Sequence, residues 1–291
     1  MLATAAATPG FWDWSFNPPL VLIIDLAVLY WLGDRRTVTP ARKRNPQRWR
    51  SACFYAGLAV LAITLASPVE LLSAQLFWVH MLQHVLLLVV AAPLIVLSRP
   101  WIRIWRCLPL DTRRWLGRGL SQGERTAPLR ALSRVLGRPA TGFVLFSGVL
   151  LAWHIPAMFD ATLRSSALHA LEHTLFFTTA IMFWKQVIPS APLHASLAAP
   201  QRVLYLVGAM IVSWALAVVL ALAPHPLYDF YANEAHRPGR LSAIGDQHLA
   251  AGIMWVPGSI TFLIVVFVYL NRWLTPVESG QSRTPRLAGE H

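Results

Sequence analysis

The sequence predicts an all-α, polytopic membrane protein: a bundle of seven transmembrane helices with its N-terminus outside and its C-terminus cytoplasmic. Three observations predict it. The 291 residues are 56% hydrophobic and only 13% charged, with a mean hydropathy of +0.50. A soluble domain carries about 25% charge, so this chain has too little polar surface to meet water on all sides. The apolar residues fall in segments long enough to span a bilayer, and the basic residues crowd alternate connections between them.

In chain order the spans are Pro18–Leu32, Ser51–Ala66, Leu76–Leu97, Pro139–Ile155, His169–Ile188, Val203–Leu222 and His248–Leu270. The first is short and carries Asp25; without it six spans would remain, and the relative sidedness of the other loops would not change.

The connection after the first span holds Arg35, Arg36, Arg42, Lys43, Arg44, Arg48 and Arg50. The long one after the third, residues 99–138, holds ten arginines. Lys185 and Arg202 bound the connection after the fifth, and the tail carries Arg272, Arg283 and Arg286. Of the 25 basic residues only Arg164, Arg237 and Arg240 fall in the other set of connections. Basic residues near spans stay on the cytoplasmic side, which fixes the predicted orientation.

Residues 1–274 then form a single seven-helix transmembrane domain with a cytoplasmic Arg-rich loop at 99–138, and residues 275–291 a disordered cytoplasmic tail rich in Pro and Arg. Within the loop, WIRIWRCLPLDTRRWLGRGL (Trp101–Leu120) interleaves Trp and Leu with Arg, as in a segment lying in the headgroup layer. The net charge of +12 is therefore an orientation signal and argues against a nucleic-acid partner. Cys53 and Cys107 form no Cys-x-x-Cys pair, imply no disulfide framework, and fall on the inner side. Residues Met1–Pro9 lack a basic n-region, so the first span is expected to act as its own insertion signal.

On this topology eight of the ten histidines collect on the outer side: His80, His84, His154, His169, His173, His225, His236 and His248; His194 and His291 do not. His80 and His84 stand four residues apart, so they share a helix face about 6 Å apart along the axis. His169 and His173 repeat the spacing at the same depth, with Glu172 between them. Ionisable residues inside spans face the bundle interior and mark function. Imidazole suits copper, zinc, iron and nickel, and thioether selects Cu(I). Met81, Met158 and Met254 lie on the same side, as do Asp160 and Asp246. These residue types leave three chemistries open: a small-ion site, a b-type haem held by two imidazoles, or a proton relay. A zinc enzyme, with three ligands, an open water position and Glu172 or Asp160 as base, is a further alternative.

Four segments, HMLQHVLLLVVAAPLIVLSRP (His80–Pro100), WHIPAMFDATL (Trp153–Leu163), LHALEHTLFFTTAIMFWKQVI (Leu168–Ile188) and DQHLAAGIMWVPG (Asp246–Gly258), resemble in order the CtaG family of cytochrome c oxidase assembly factors. This is the multi-pass kind linked to caa3-type oxidases, not the single-span copper chaperone of the same name. The resemblance implies a multi-pass protein of the bacterial plasma (inner) membrane, not an enzyme, that helps mature a haem–copper oxidase. It implies copper as the cofactor or cargo, a cytochrome c oxidase core subunit as partner and a periplasmic copper carrier as donor. Carried over by motif, the metal residues would be His80, His84, His154, His169, His173, Asp246 and His248.

Overall fold

The computed structural model of the protein describes residues 14, 16–35, 44–190, 197–234 and 237–275, with side chains from residue 48 onward in the second long stretch. The disordered tail expected at 275–291 lies outside the described residues beyond Thr275, as do His194, His236 and His291.

Every long element is a helix, because a chain this apolar must satisfy its backbone within each segment. Helix α1 is Pro18–Arg35 and α2 is Arg44–Ala66. A short α3, Pro68–Ser73, starts where the Ser67 hydroxyl accepts from the Val69 amide. Next comes one long rod: α4 (Phe77–Val85), a π-helical stretch (Leu86–Ala91) and α5 (Ala92–Ser98). The π register lies just before Pro93, where the Ala92 amide reaches back to the Leu87 carbonyl. A proline removes one amide and crowds the preceding turn, and a single widened turn relieves both. The Leu88 carbonyl within this stretch accepts from the Trp184 indole at 2.7 Å.

Residues 99–138, predicted as a loop, fold into helices. Arg99 turns the chain in the left-handed region (φ 54) into α6 (Pro100–Arg106). Helices α7 (Leu110–Gln122) and α8 (Ala127–Leu136) follow, with no buried residue in either. The bundle resumes with α9 (Pro139–Trp153), α10 (Pro156–Arg164), α11 (Ser166–Val187), α12 (Ala199–Leu222), the one-turn α13 (Asp229–Ala232) and α14 (Ala243–Leu274).

The rod α4–α5 is the centre. Within its span 72% of the residues are buried, against 28% for α12 and α14. One apolar core joins it to α9, α11, α12 and α14 through Phe146, Phe183, Trp184 and Phe262. A second joins it to α1 and α2 through Tyr30, Phe54 and Leu87. Tyr30 stacks on Phe54 with centroids 4.0 Å apart. Gly33 admits α6 against α1, since a Cβ there would lie 1.9 Å from the Arg103 carbonyl oxygen.

Of the seven expected spans, the described residues show four to five as helices long and apolar enough to cross a membrane. Among the described residues four helices meet both conditions singly: Arg48–Ala66, Phe77–Ser98, Ala199–Leu222 and Ala243–Leu274. A fifth would pair Glu124–Leu136 with Pro139–Trp153 across a 76° bend. The first, fourth and fifth expected spans each fall short of such a single helix for a physical reason. Helix α1 carries Asp25, Asp34 and Arg35 within its 18 residues. Helix α9 has only 15 residues before it ends at His154. Helix α11 is long enough but gives up apolarity to His169, Glu172, His173 and Lys185.

Candidate metal centre

The site sits where α4, α10 and α11 begin and α9 ends. Helix α4 presents His80 and His84 on one face, both buried. Its start is held by Asp246 of α14, whose two carboxylate oxygens accept from the Phe77 and Trp78 amides at 2.9 Å each. Helix α11 starts at Ser165, whose hydroxyl accepts from the Leu168 amide. It then brings His169, Glu172 and His173 to face α4, with Glu172 fully buried and His173 nearly so.

His80, His169, Glu172 and His173 offer ligand atoms that all lie within 4.8 Å of one another. The Glu172 carboxylate approaches His80 Nε2 at 3.7 Å and His84 Nε2 at 3.6 Å. The imidazoles of His169 and His173 lie 4.2 Å apart by centroid, and His80 and His169 5.1 Å. Five buried polar atoms here have no hydrogen-bond partner: His84 Nδ1, His169 Nε2, His173 Nε2 and both oxygens of Glu172. A buried polar atom left unpaired costs about 1–3 kcal/mol, and more when charged. Several in one place is the donor set a cation would satisfy, and imidazole nitrogen with carboxylate oxygen suits copper, zinc, iron or nickel.

The surrounding hydrogen bonds fix how His80 points. Tyr231 donates its hydroxyl to the Ser73 carbonyl at 2.5 Å, so toward His80 Nδ1, 3.0 Å away, it can only accept. His80 Nδ1 therefore carries the proton and Nε2 keeps a lone pair aimed at the cluster. This is the outer-shell arrangement that orients ligating histidines in metal sites. Asp160 accepts from the Asp229 and Phe230 amides at 3.2 Å each, so it holds the start of α13, the helix that carries Tyr231.

Of the seven residues expected as ligands, the structure brings His80, His84, His169 and His173 together. His154 stands one step away: it ends α9, its Nδ1 meets the Leu150 carbonyl at 2.7 Å, and its ring lies 5.9 Å from that of His84. Asp246 and His248 do not join them. Asp246 is committed to the start of α4, and His248 is exposed on α14, where Gln247 takes the inward position. Glu172, a candidate base or ligand from sequence, is central.

Two residues were missed. Glu70 of α3 places Oε1 3.4 Å from His169 Nδ1, and its Oε2 accepts from Gln83 at 2.7 Å. Burial raises its pKa above the ordinary carboxylate range; the Gln83 hydrogen bond pulls it back and the Glu172 charge adds to the rise. Tyr231 is the other. A signal for Glu70 existed, as a carboxylate on the short connection immediately before the rod that bears His80.

A model of the cytochrome c oxidase caa3 assembly factor family (Caa3_CtaG) matches residues 28–275. The chain belongs to that family. Uncharacterized proteins of Mycobacterium bovis and Mycobacterium tuberculosis are each 27% identical to it over 255 residues, 85% of this chain and 38% of theirs. One of Mycobacterium leprae is 24% identical over 234 residues, 77% of this chain and 34% of its own. The chain thus spans well under half the length of these relatives. No solved structure matches.

Proposed function

We propose that this member of the caa3 assembly factor family binds copper at the His80–His169–Glu172–His173 cluster and assists its delivery to a cytochrome c oxidase core subunit docked alongside. The observation that carries the reading is the convergence of unpartnered buried nitrogen and oxygen atoms between α4 and α11. Their spacing favours one small ion over a haem, which needs two imidazoles opposed across a macrocycle. Family membership supplies the client, an oxidase under assembly.

In this reading α1, α9 and α11 also cross the bilayer, and seven spans put the N-terminus outside and the C-terminus in the cytoplasm. Helix α11 can cross because its polar residues face the bundle, and α9 because the bundle and α10 cover its short end. The arginine-bearing ends then lie inside, and the cluster opens toward the periplasm of a bacterial plasma membrane, where a copper carrier can reach it. The protein's work is ligand exchange. Glu172 balances the ion's charge, Tyr231 and Ser73 hold His80 in its ligating tautomer, and Glu70 steadies His169. No bond of a substrate is made or broken, so the role is assembly and not catalysis.

The test is made in cells. A deletion strain is assayed for oxidase activity and for copper in the purified oxidase, at ordinary and added copper, and is complemented with wild type or with His80→Ala/His173→Ala. The expected result is loss of active oxidase, rescue by wild type, and no rescue by the variant at ordinary copper. Full oxidase activity and copper content in the deletion strain, or full rescue by the variant, would overturn the proposal.

A further inference from the structure

Beneath the cluster lies a cavity of about 30 Å3 between α4, α9, α12 and α14, enough for one water molecule or an ion. Its wall is hydrocarbon apart from Met81, His84, His154, Met254 and Ser213. His154 Nε2 and Met81 Sδ face one another there at 3.3 Å.

That contact is unusual in its protons. A carbonyl only accepts, so the 2.7 Å bond to Leu150 places the proton of neutral His154 on Nδ1. Nε2 is left with a lone pair directed at a thioether, which has no proton to give. A second proton on the ring would set a charge in an apolar pocket, which is costly. His84 presents the same feature. In the neutral rings, its Nε2–H donates to the His80 Nε2 lone pair at 3.0 Å, which leaves Nδ1 deprotonated, buried and without a partner. The His154 Nε2 lone pair and the Met81 thioether thus face one another at this small space, whose wall His84, Met254 and Ser213 also line.

We propose that Met81 and His154, with Met254 and His84 on the same cavity wall, form a second metal station selective for Cu(I). Thioether sulfur selects Cu(I) over harder ions. With metal–nitrogen and metal–sulfur bonds of about 2.0 and 2.3 Å, the 3.3 Å separation subtends about 100° at the ion, near the tetrahedral angle. His84 stands between the two stations, Nε2 toward the cluster and Nδ1 unpartnered. The arrangement gives Cu(I) a step from the His/Glu cluster into a softer site without passing through water. The delivery role rests on the copper reading above; the station itself rests on its own four side chains.

The test uses the full chain, purified in detergent without oxygen and loaded with Cu(I) under competition from a chromophoric chelator. Copper per chain and the sulfur shell in copper X-ray absorption are both read. Wild type is expected to hold two Cu(I) with sulfur in the average shell. Met81→Leu, which conserves volume, is expected to lose one equivalent and most of the sulfur signal. His80→Ala/His173→Ala is expected to lose the other equivalent and keep the sulfur. Wild type showing bound copper with nitrogen and oxygen neighbours only would overturn this station and leave the cluster standing, and that readout needs no variant to fold. Sulfur that survives Met81→Leu, or that vanishes with the cluster variant, would also overturn it. Absence of any bound copper would remove both.

Discussion

The two ends of the bundle use polar residues differently: each leaves some buried atoms unpaired, as at Gln186 Oε1 and the Tyr205 hydroxyl, but at the histidine end such atoms crowd together. At the arginine end they tie helices together. Arg103 pairs with Asp34 at 3.0 Å and donates to Ser51 at 3.1 Å, joining α6 to α1 and α2. Arg202 donates to Tyr269 at 2.8 Å and Tyr269 to the Val187 carbonyl at 2.6 Å, joining α12, α14 and α11. Lys185 and Gln186 donate to carbonyls at the end of α8. At the histidine end the polar residues split into two groups. Asp160 and Asp246 spend both carboxylate oxygens on backbone amides. Glu172, His169, His173 and His84 keep buried atoms unpaired within a few ångströms of one another. Bonds that are satisfied hold a fold. Lone pairs left together in its interior are available to an ion, and the folded state bears the desolvation cost until one arrives.

The largest break in this contrast comes from removing the cluster. His80→Ala/His173→Ala should abolish copper binding at the cluster, read by elemental analysis, and lower thermal stability, since two buried side chains leave a cavity and His80 gives up its contacts with Tyr231 and His84. Glu172→Gln comes next: it keeps shape and removes the charge, and copper affinity should fall about 10–100-fold, as when a partner of a metal site is lost, measured by chelator competition. Arg103→Ala inverts the pattern. It should destabilise the protein by about 1–3 kcal/mol, the scale of hydrogen bonds to charged groups, with copper stoichiometry unchanged. Asp246→Ala should cost about 0.5–2 kcal/mol through the lost cap and weaken copper only through the position of His80, with Asp246→Asn restoring part of each, since its one carbonyl oxygen replaces one of two acceptors; an Asn variant that regains stability but no copper binding would return Asp246 to the ligand set. His248→Ala should change neither quantity, and a loss of copper there would show the exposed face of α14 to be part of the site.

Much of this was legible in the sequence. The rod expected at Leu76–Leu97 is observed at Phe77–Ser98, and the sixth span begins within four residues of its predicted start, because long apolar runs with proline or polar ends leave little freedom. The i, i+4 pairs were legible because helix geometry alone puts their members on one face. What was not legible depended on tertiary register. A carboxylate at the start of a helix reads alike whether it caps a neighbour or holds a metal, and the contact of Asp246 with the start of α4 was not legible. His248 and Gln247 differ by one residue, about 100° of rotation, and only packing against α12 decides that Gln247 turns inward, where it donates to the Leu220 carbonyl. Glu70 and Tyr231 come from short connections whose path no periodicity fixes. The 99–138 segment read as a loop because its two longer helices, α7 and α8, bury nothing and so show no core face.

The most direct measurement is the Cu(II) content of the purified full chain, an ion the thioethers of the second station do not favour, read by elemental analysis and electron paramagnetic resonance for wild type beside His80→Ala/His173→Ala. One Cu(II) per wild-type chain with nitrogen hyperfine coupling, and none in the variant, is the expected result. Equal copper in the two proteins, or none in either, would contradict a metal centre at this cluster.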